Sequence, residues 1–140
     1  MLRGDAQPRL LLVDDHEAIL QKIKELLSSR FNLVGLVSDS SQAITMADQL
    51  CPDLIVLDIS MPEPDGIRIA RTLQRNGSKA KLLFLTVQND PDYIDAAFAA
   101  GAGGYVLKSR MQADLIRAID AVLEGGMFIS ARCERLDPDM

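Results

Sequence analysis

Leu54-Ile55-Val56-Leu57-Asp58-Ile59-Ser60-Met61-Pro62 decides how this chain of 140 residues is read. Four consecutive aliphatic residues with no polar alternation describe a strand covered on both faces. The run stops at an acid, and Pro62 cannot donate to a sheet ladder, so the strand ends before it. A strand buried on both faces needs helices above and below it, and such strands run parallel with helical crossovers between them.

Working outward, the same kind of run recurs at 9–13, 32–38, 81–85 and 104–107. Between the runs lie segments with helical spacing. In 17–29, Ile19, Ile23, Leu26 and Leu27 share one face; in 112–124, Leu115, Ile116, Ile119, Val122 and Leu123 do the same. Segments 41–50, 65–75 and 92–100 complete a set of five βα units. Pro64 and Pro91 sit at or just before helix starts, where a fixed φ is tolerated, and Gly125-Gly126 ends the last helix. The fold class is therefore α/β: a five-stranded parallel sheet, doubly wound, with right-handed crossovers. Residues 1–8 read as an N-terminal arm, 9–125 as the domain, and 126–140 as a tail or the start of a linker.

Composition narrows the function classes. Hydrophobic residues make up 48% and charged residues 25%, which suits one soluble core. A net charge of -5 argues against nucleic acid or an anionic membrane as partner, since both reward clustered Lys and Arg. No apolar run approaches a membrane span, and residues 1–9 lack the apolar core of a signal peptide. Cys51, Cys133 and His16 show no zinc-type spacing, so the cysteines read as two free thiols of a cytosolic protein.

In an open α/β sheet, ligands bind beyond the carboxyl ends of the strands. The first run delivers Asp14 and Asp15 there, the third Asp58, the fourth Thr86 and the fifth Lys108. The second delivers Ser38 and Asp39, which serve simply as caps of the next helix. Each residue alone has a plain reading: a turn or N-cap acid, a good β-former, a solvated ammonium. Together they make a cluster. Three carboxylates about 5 Å apart repel by roughly 3 kcal/mol per pair at an effective dielectric near 20, and one Lys offsets only part of that. A divalent cation removes the remainder, and an all-oxygen site that keeps waters suits Mg²⁺, for which Mn²⁺ can substitute. A carboxylate beside Mg²⁺ and Lys is a competent nucleophile toward a phosphoryl group.

These residues resemble the receiver domains of two-component response regulators, a flavodoxin-like fold, across 9–124. Leu11-Leu12-Val13-Asp14-Asp15-His16 resembles the family's acidic-pair strand. The stretch from Leu54 through Met61-Pro62-Glu63-Pro64-Asp65-Gly66 resembles its phosphoacceptor loop. Phe84-Leu85-Thr86 and Gly103-Gly104-Tyr105-Val106-Leu107-Lys108 resemble its switch strands. The resemblance implies a cytoplasmic signalling switch that catalyses only its own phosphorylation and dephosphorylation. Asp58 would be the phosphoacceptor, with Thr86 and Lys108 contacting the phosphoryl group. Asp14, Asp15, Asp58 and the Ser60 backbone carbonyl would hold the metal. Tyr105 would be the aromatic whose rotamer follows Thr86, turning in from the surface; the plainer reading is a half-buried ring. Ser60, Val87 and Gln88 lie where the family tunes phosphoryl lifetime. The implied partners are a histidine kinase or histidine phosphotransfer protein and a phosphorylation-dependent homodimer formed through the fourth helix, fifth strand and fifth helix.

Three positions depart from the pattern. Val87 replaces a small residue and would narrow access to Asp58. Ser109 replaces a common Pro, so a cis peptide is not expected after Lys108. Pro64 replaces a small or unbranched apolar residue. The stretch Glu124-Gly125-Gly126-Met127-Phe128-Ile129-Ser130 resembles the subgroup in which a LuxR-type helix-turn-helix follows the receiver. Three rival functions fit the residues less well. A haloacid-dehalogenase-type phosphatase needs an acid two residues after its nucleophile, where Ser60 stands. A nucleotide or flavin module needs a Gly-rich loop after the first strand, where none occurs. A pseudo-receiver that binds without phosphorylation is countered by the complete set Asp14, Asp15, Asp58, Thr86 and Lys108.

Overall fold

A computed structural model describes residues 7–130. Most of the expected N-terminal arm, and the tail beyond Ser130 with Cys133, lie outside the described residues. The elements run β1 (Arg9–Val13), α1 (Glu17–Leu27), β2 (Asn32–Val37), α2 (Ala43–Leu50), β3 (Leu54–Leu57), α3 (Gly66–Arg75), β4 (Lys81–Thr86), α4 (Pro91–Ala99), β5 (Gly104–Leu107), α5 (Met111–Leu123) and β6 (Phe128–Ile129). One parallel sheet has the order β2-β1-β3-β4-β5-β6.

The continuous apolar runs exist because successive side chains enter two different cores. Leu10 and Leu12 of β1, Leu54 and Val56 of β3, and Leu83 and Leu85 of β4 pack with Leu20, Ile23, Leu115 and Ile119 under α1 and α5. Leu11, Val13, Ile55, Leu57 and Phe84 pack on the opposite face with Ala43, Ala47, Ile69, Leu73 and Ile94 of α2, α3 and α4. Full burial of such a side chain contributes about 1.5–3 kcal/mol, so a polar residue within these strands would be costly on either face. The sheet edge β2 is less covered, and Leu36 there is exposed.

Local signals set the helix ends. Asp39 accepts from Ser41 N and so starts a 3-10 turn, Ser40–Gln42, before α2; the first turn expected as α-helix is thus tighter. Asp65 caps α3 by accepting from Arg68 N, with Pro64 just outside the helix. Asp90 accepts from Asp92 N and Pro91 is the first residue of α4. Cys51, a free and exposed thiol, closes α2 in the left-handed region at φ 48°. The only cis peptide among the described residues is Glu63-Pro64, so the bond after Lys108 is trans as expected.

The sheet has one strand more than the five expected. The chain turns at Gly125 and comes back beside β5, where Phe128 N donates to Gly103 O and Ser130 N to Tyr105 O. The segment 126–140, expected as a tail or the start of a linker, thus contributes a short strand, Phe128–Ile129, to the sheet.

Register places the functional residues. β1 and β3 run in step from Leu10↔Leu54 to Val13↔Leu57, so Asp14 and Asp58 leave the sheet side by side. Asp58 N donates to Val13 O at 3.0 Å, extending that ladder by one residue. β4 meets β5 with Thr86 opposite Leu107, which puts Lys108 one step further out.

Candidate functional site

Asp58 lies at the end of β3 with 2% of its surface exposed, and Asp14, at the end of β1, has the same exposure. Two buried carboxylates at one sheet edge repel, and Lys108 answers both. Its Nζ stands 2.8 Å from Asp14 Oδ2 and 3.2 Å from Asp58 Oδ2. Burial pushes the Asp58 carboxyl above the usual carboxylate range, and Asp14 pushes it further; Lys108 and Thr86 pull back part of the way. Burial lowers the Lys108 ammonium, but Asp14 and Asp58 together outweigh it, so its pKa is raised and it stays charged.

The backbone around Asp58 is shaped by Gly66. A Cβ on Gly66 would run into the Asp58 carbonyl oxygen, so no other residue fits without moving the loop. Gly66 N donates to Ile59 O at 3.0 Å, pinning the first turn of α3 beneath the acceptor loop. Buried Ser40 fixes the same loop from the other side, its Oγ donating to Pro62 O at 2.8 Å.

Asp14, Asp15, His16 and Asp58 each present one ligand atom within 4.8 Å of the others. Asp14 Oδ1 accepts from His16 N. Asp15 Oδ1 is buried and accepts no hydrogen bond, meeting only His16 Nδ1 at 3.2 Å, while Asp14 Oδ2 has the Lys108 ammonium as its single partner. Buried carboxylate oxygens left in this condition are costly, and a divalent cation is the partner that satisfies them. The donor set is oxygen-rich and fits a hard cation. His16, read from the sequence only as too few for zinc, stands at this cluster with 60% of its side chain exposed. Its place directly after the acidic pair was the available signal.

Thr86 is fully buried at the end of β4, and Gln88 N donates to its Oγ1 at 3.3 Å. Gln88 Nε2 donates to Ser60 Oγ at 2.8 Å, which ties the loop after β4 to the loop after β3. Ser60 thus offers a bridging hydroxyl, not an acid, two residues after Asp58. The Tyr105 ring is 0% exposed, and its OH donates to Gln88 O at 2.6 Å. This corrects the expectation of a half-buried or outward ring: Tyr105 already points inward, because the Gln88 carbonyl satisfies its hydroxyl within the core. Val87, by contrast, is 66% exposed and stands in solvent at the site's edge.

The sequence reading also missed a second polar cluster. Asp114, 1% exposed, receives Arg110 Nε and Nη2 at 2.9 and 3.2 Å and Ser130 Oγ at 2.8 Å. No periodicity marks it, because Asp114 and Ser130 meet only once β6 has docked.

This arrangement can be set beside known proteins. The family model of the response regulator receiver domain matches residues 10–120. The nitrate/nitrite response regulator protein NarL of Escherichia coli K12 is 32% identical over 123 residues, 86% of this chain and 57% of that protein. The transcriptional regulatory protein DegU of Brevibacillus brevis is 32% identical over 124 residues, 86% of this chain and 52% of that protein. The chain thus spans little more than half the length of these relatives. Among solved structures, a LuxR-family two-component response regulator from Aurantimonas sp. SI85-9A1 superposes with a TM-score of 0.85 at 31% identity, covering 90% of this chain and 91% of that one. The isolated receiver domain of RcsB from Salmonella enterica serovar Typhimurium, with phosphomimetic BeF3-, gives 0.84 at 28% identity, covering 92% and 97%. Matched along nearly its whole sheet and sharing that fold, the chain belongs to the response regulator receiver domain family of two-component signalling.

Proposed function

We propose that Asp58 is the phosphoacceptor of this receiver and that the chain itself catalyses the transfer. The observation that carries the reading is the Lys108 ammonium held between the buried Asp14 and Asp58 carboxylates, beside an Asp15 oxygen that accepts no hydrogen bond. An Asp58 oxygen would form the new P–O bond as the P–N bond of a phosphohistidine donor breaks, the imidazole leaving with the bonding pair. Lys108 and Thr86 would neutralise and bind the phosphoryl oxygens. Asp14, Asp15, Asp58 and the Ser60 backbone carbonyl would hold Mg²⁺, with Mn²⁺ as substitute. That ion would offset the charge of the carboxylates and the phosphoryl group.

The donor would be a sensor histidine kinase or a histidine phosphotransfer protein in the cytoplasm. Among the described residues no helix is long and apolar enough to cross a membrane. The output face would comprise α4, β5 and α5, used for partner binding or for a phosphorylation-dependent homodimer, with Thr86 and Tyr105 as the switch and Ser60, Val87 and Gln88 as its tuning positions. No nucleic acid would be bound by this segment itself.

Intact-mass spectrometry after incubation with acetyl phosphate and Mg²⁺ tests the central claim. A gain of one phosphoryl group is expected, and borohydride trapping should locate it at Asp58. No gain, or undiminished gain in Asp58→Ala, sinks it.

A further inference from the structure

Lys108 begins a 3-10 turn, Lys108–Arg110, whose N-cap has no side-chain bond. The residues on both sides of Lys108 nevertheless reach the same buried carboxylate. On one side, Leu107 N donates to Ser130 Oγ at 3.1 Å, and Ser130 Oγ donates to Asp114 Oδ2 at 2.8 Å. On the other, Arg110 closes on Asp114 in a bidentate pair. β6 is too short to offer a main-chain carbonyl opposite Leu107, since its register ends at Tyr105↔Ile129. The Ser130 hydroxyl stands in for that carbonyl.

A buried carboxylate is costly unless fully paired, and this one could have been a leucine if packing were all that mattered. Asp114 and Arg110 cancel in charge, and Arg117, 3.8 Å from Asp114, is largely exposed and screened, so the cluster adds little field at Asp58 and acts through position. We infer that Asp114 and Ser130 are positioning residues for Lys108: they fix the main chain at Leu107 and Arg110 so that the ammonium stands between Asp14 and Asp58. The inference deepens the proposed function and rests on it, because positioning matters only if Lys108 serves phosphoryl transfer to Asp58.

The test compares wild type with Ser130→Ala, Ser130→Thr and Asp114→Asn, following two readouts. One is the rate of labelling by acetyl phosphate with Mg²⁺. The other is the ε-methylene NMR resonance of Lys108, identified by its loss in Lys108→Ala. Ser130→Ala should slow labelling about three- to tenfold, the ratio that loss of one hydrogen bond converts to, and should move the Lys108 resonance. Ser130→Thr, which keeps the hydroxyl, should restore both; Asp114→Asn should move both. A merely structural role would lower the unfolding midpoint and leave the Lys108 resonance of the folded protein in place, and that result overturns the inference. Should the variants not fold, wild type decides: the Leu107 amide, held on Ser130 Oγ, should resist solvent exchange as strongly as the other amides of β5, and rapid exchange overturns the inference. Wild type that takes no label would instead overturn the Asp58 reading, while the Lys108 resonance, which needs no phosphoryl chemistry, still reports on positioning.

Discussion

Gln88 Nε2 donates to Ser60 Oγ across 2.8 Å, joining the two loops that flank Asp58. The same residue donates its N–H to Thr86 and accepts the Tyr105 hydroxyl on its carbonyl. The bridge is exposed, so its loss should cost little stability, about 1 kcal/mol or less. Its effect should fall on water access. Gln88→Ala is expected to shorten the phosphoryl half-life several-fold, read as decay of the labelled protein after donor removal. An unchanged half-life would show that the bridge does not shield the acyl phosphate.

Asp58 should burden the fold it serves. Burial, and then Asp14, raise its pKa in the folded protein above the unfolded value of 3.8. An acid raised in this way contributes most when protonated, and that contribution is lost as pH rises through the folded pKa. Asp58→Asn, neutral at every pH, should therefore melt higher than wild type at pH 7. A gain near 4 °C corresponds to ~1 kcal/mol in a domain of this size. The gap should narrow toward pH 4, which thermal unfolding by circular dichroism across pH 4–8 would show. A gap independent of pH would mean that ionisation of Asp58 is not its cause.

Divalent cation should stabilise the unphosphorylated protein, because it would satisfy the buried oxygens of Asp14 and Asp15. At ten times its dissociation constant, Mg²⁺ would add about 1.4 kcal/mol. Asp15→Ala should abolish both that increment and the labelling. The chain has no Trp, so binding is followed by calorimetry or NMR. Equal melting of wild type in Mg²⁺ and in chelator would contradict the site.

Thr86 should act as trigger and not as the whole switch. Moving a population from 1% to 99% active takes roughly 5.5 kcal/mol, more than one hydroxyl hydrogen bond supplies. Beryllofluoride should shift resonances along α4 in wild type, and Thr86→Ala should shrink those shifts without erasing them. Since the Tyr105 ring is already buried, its shift should report a changed bond to Gln88 more than an inward swing. Shifts confined to the Asp58 loop would exclude a route through α4.

The parts that could be read from sequence alone share a physical cause. β1 and β3 show as aliphatic runs because both their faces are covered, and the acids that follow them mark where the strands end. Helix ends were displaced by a residue or two where a cap decided the matter, as with Asp90 and Pro91 at α4. What stayed hidden depends on meetings distant in sequence. Two residues cannot show a strand period, so β6 was invisible, and the tie between Ser130 and Asp114 with it. The inward Tyr105 ring depends on a carbonyl seventeen residues away, which no pattern in β5 announces.

Gly66 carries one more consequence. Its backbone fills the only space left beside the Asp58 carbonyl, and it is also the first residue of α3. The reacting group and the helix start are thus tied to one backbone position. Amide protons of the Asp58 loop should become protected from solvent exchange at the same moment in refolding as those of α3. Any side chain at position 66 would require the start of the helix and the acceptor loop to move together.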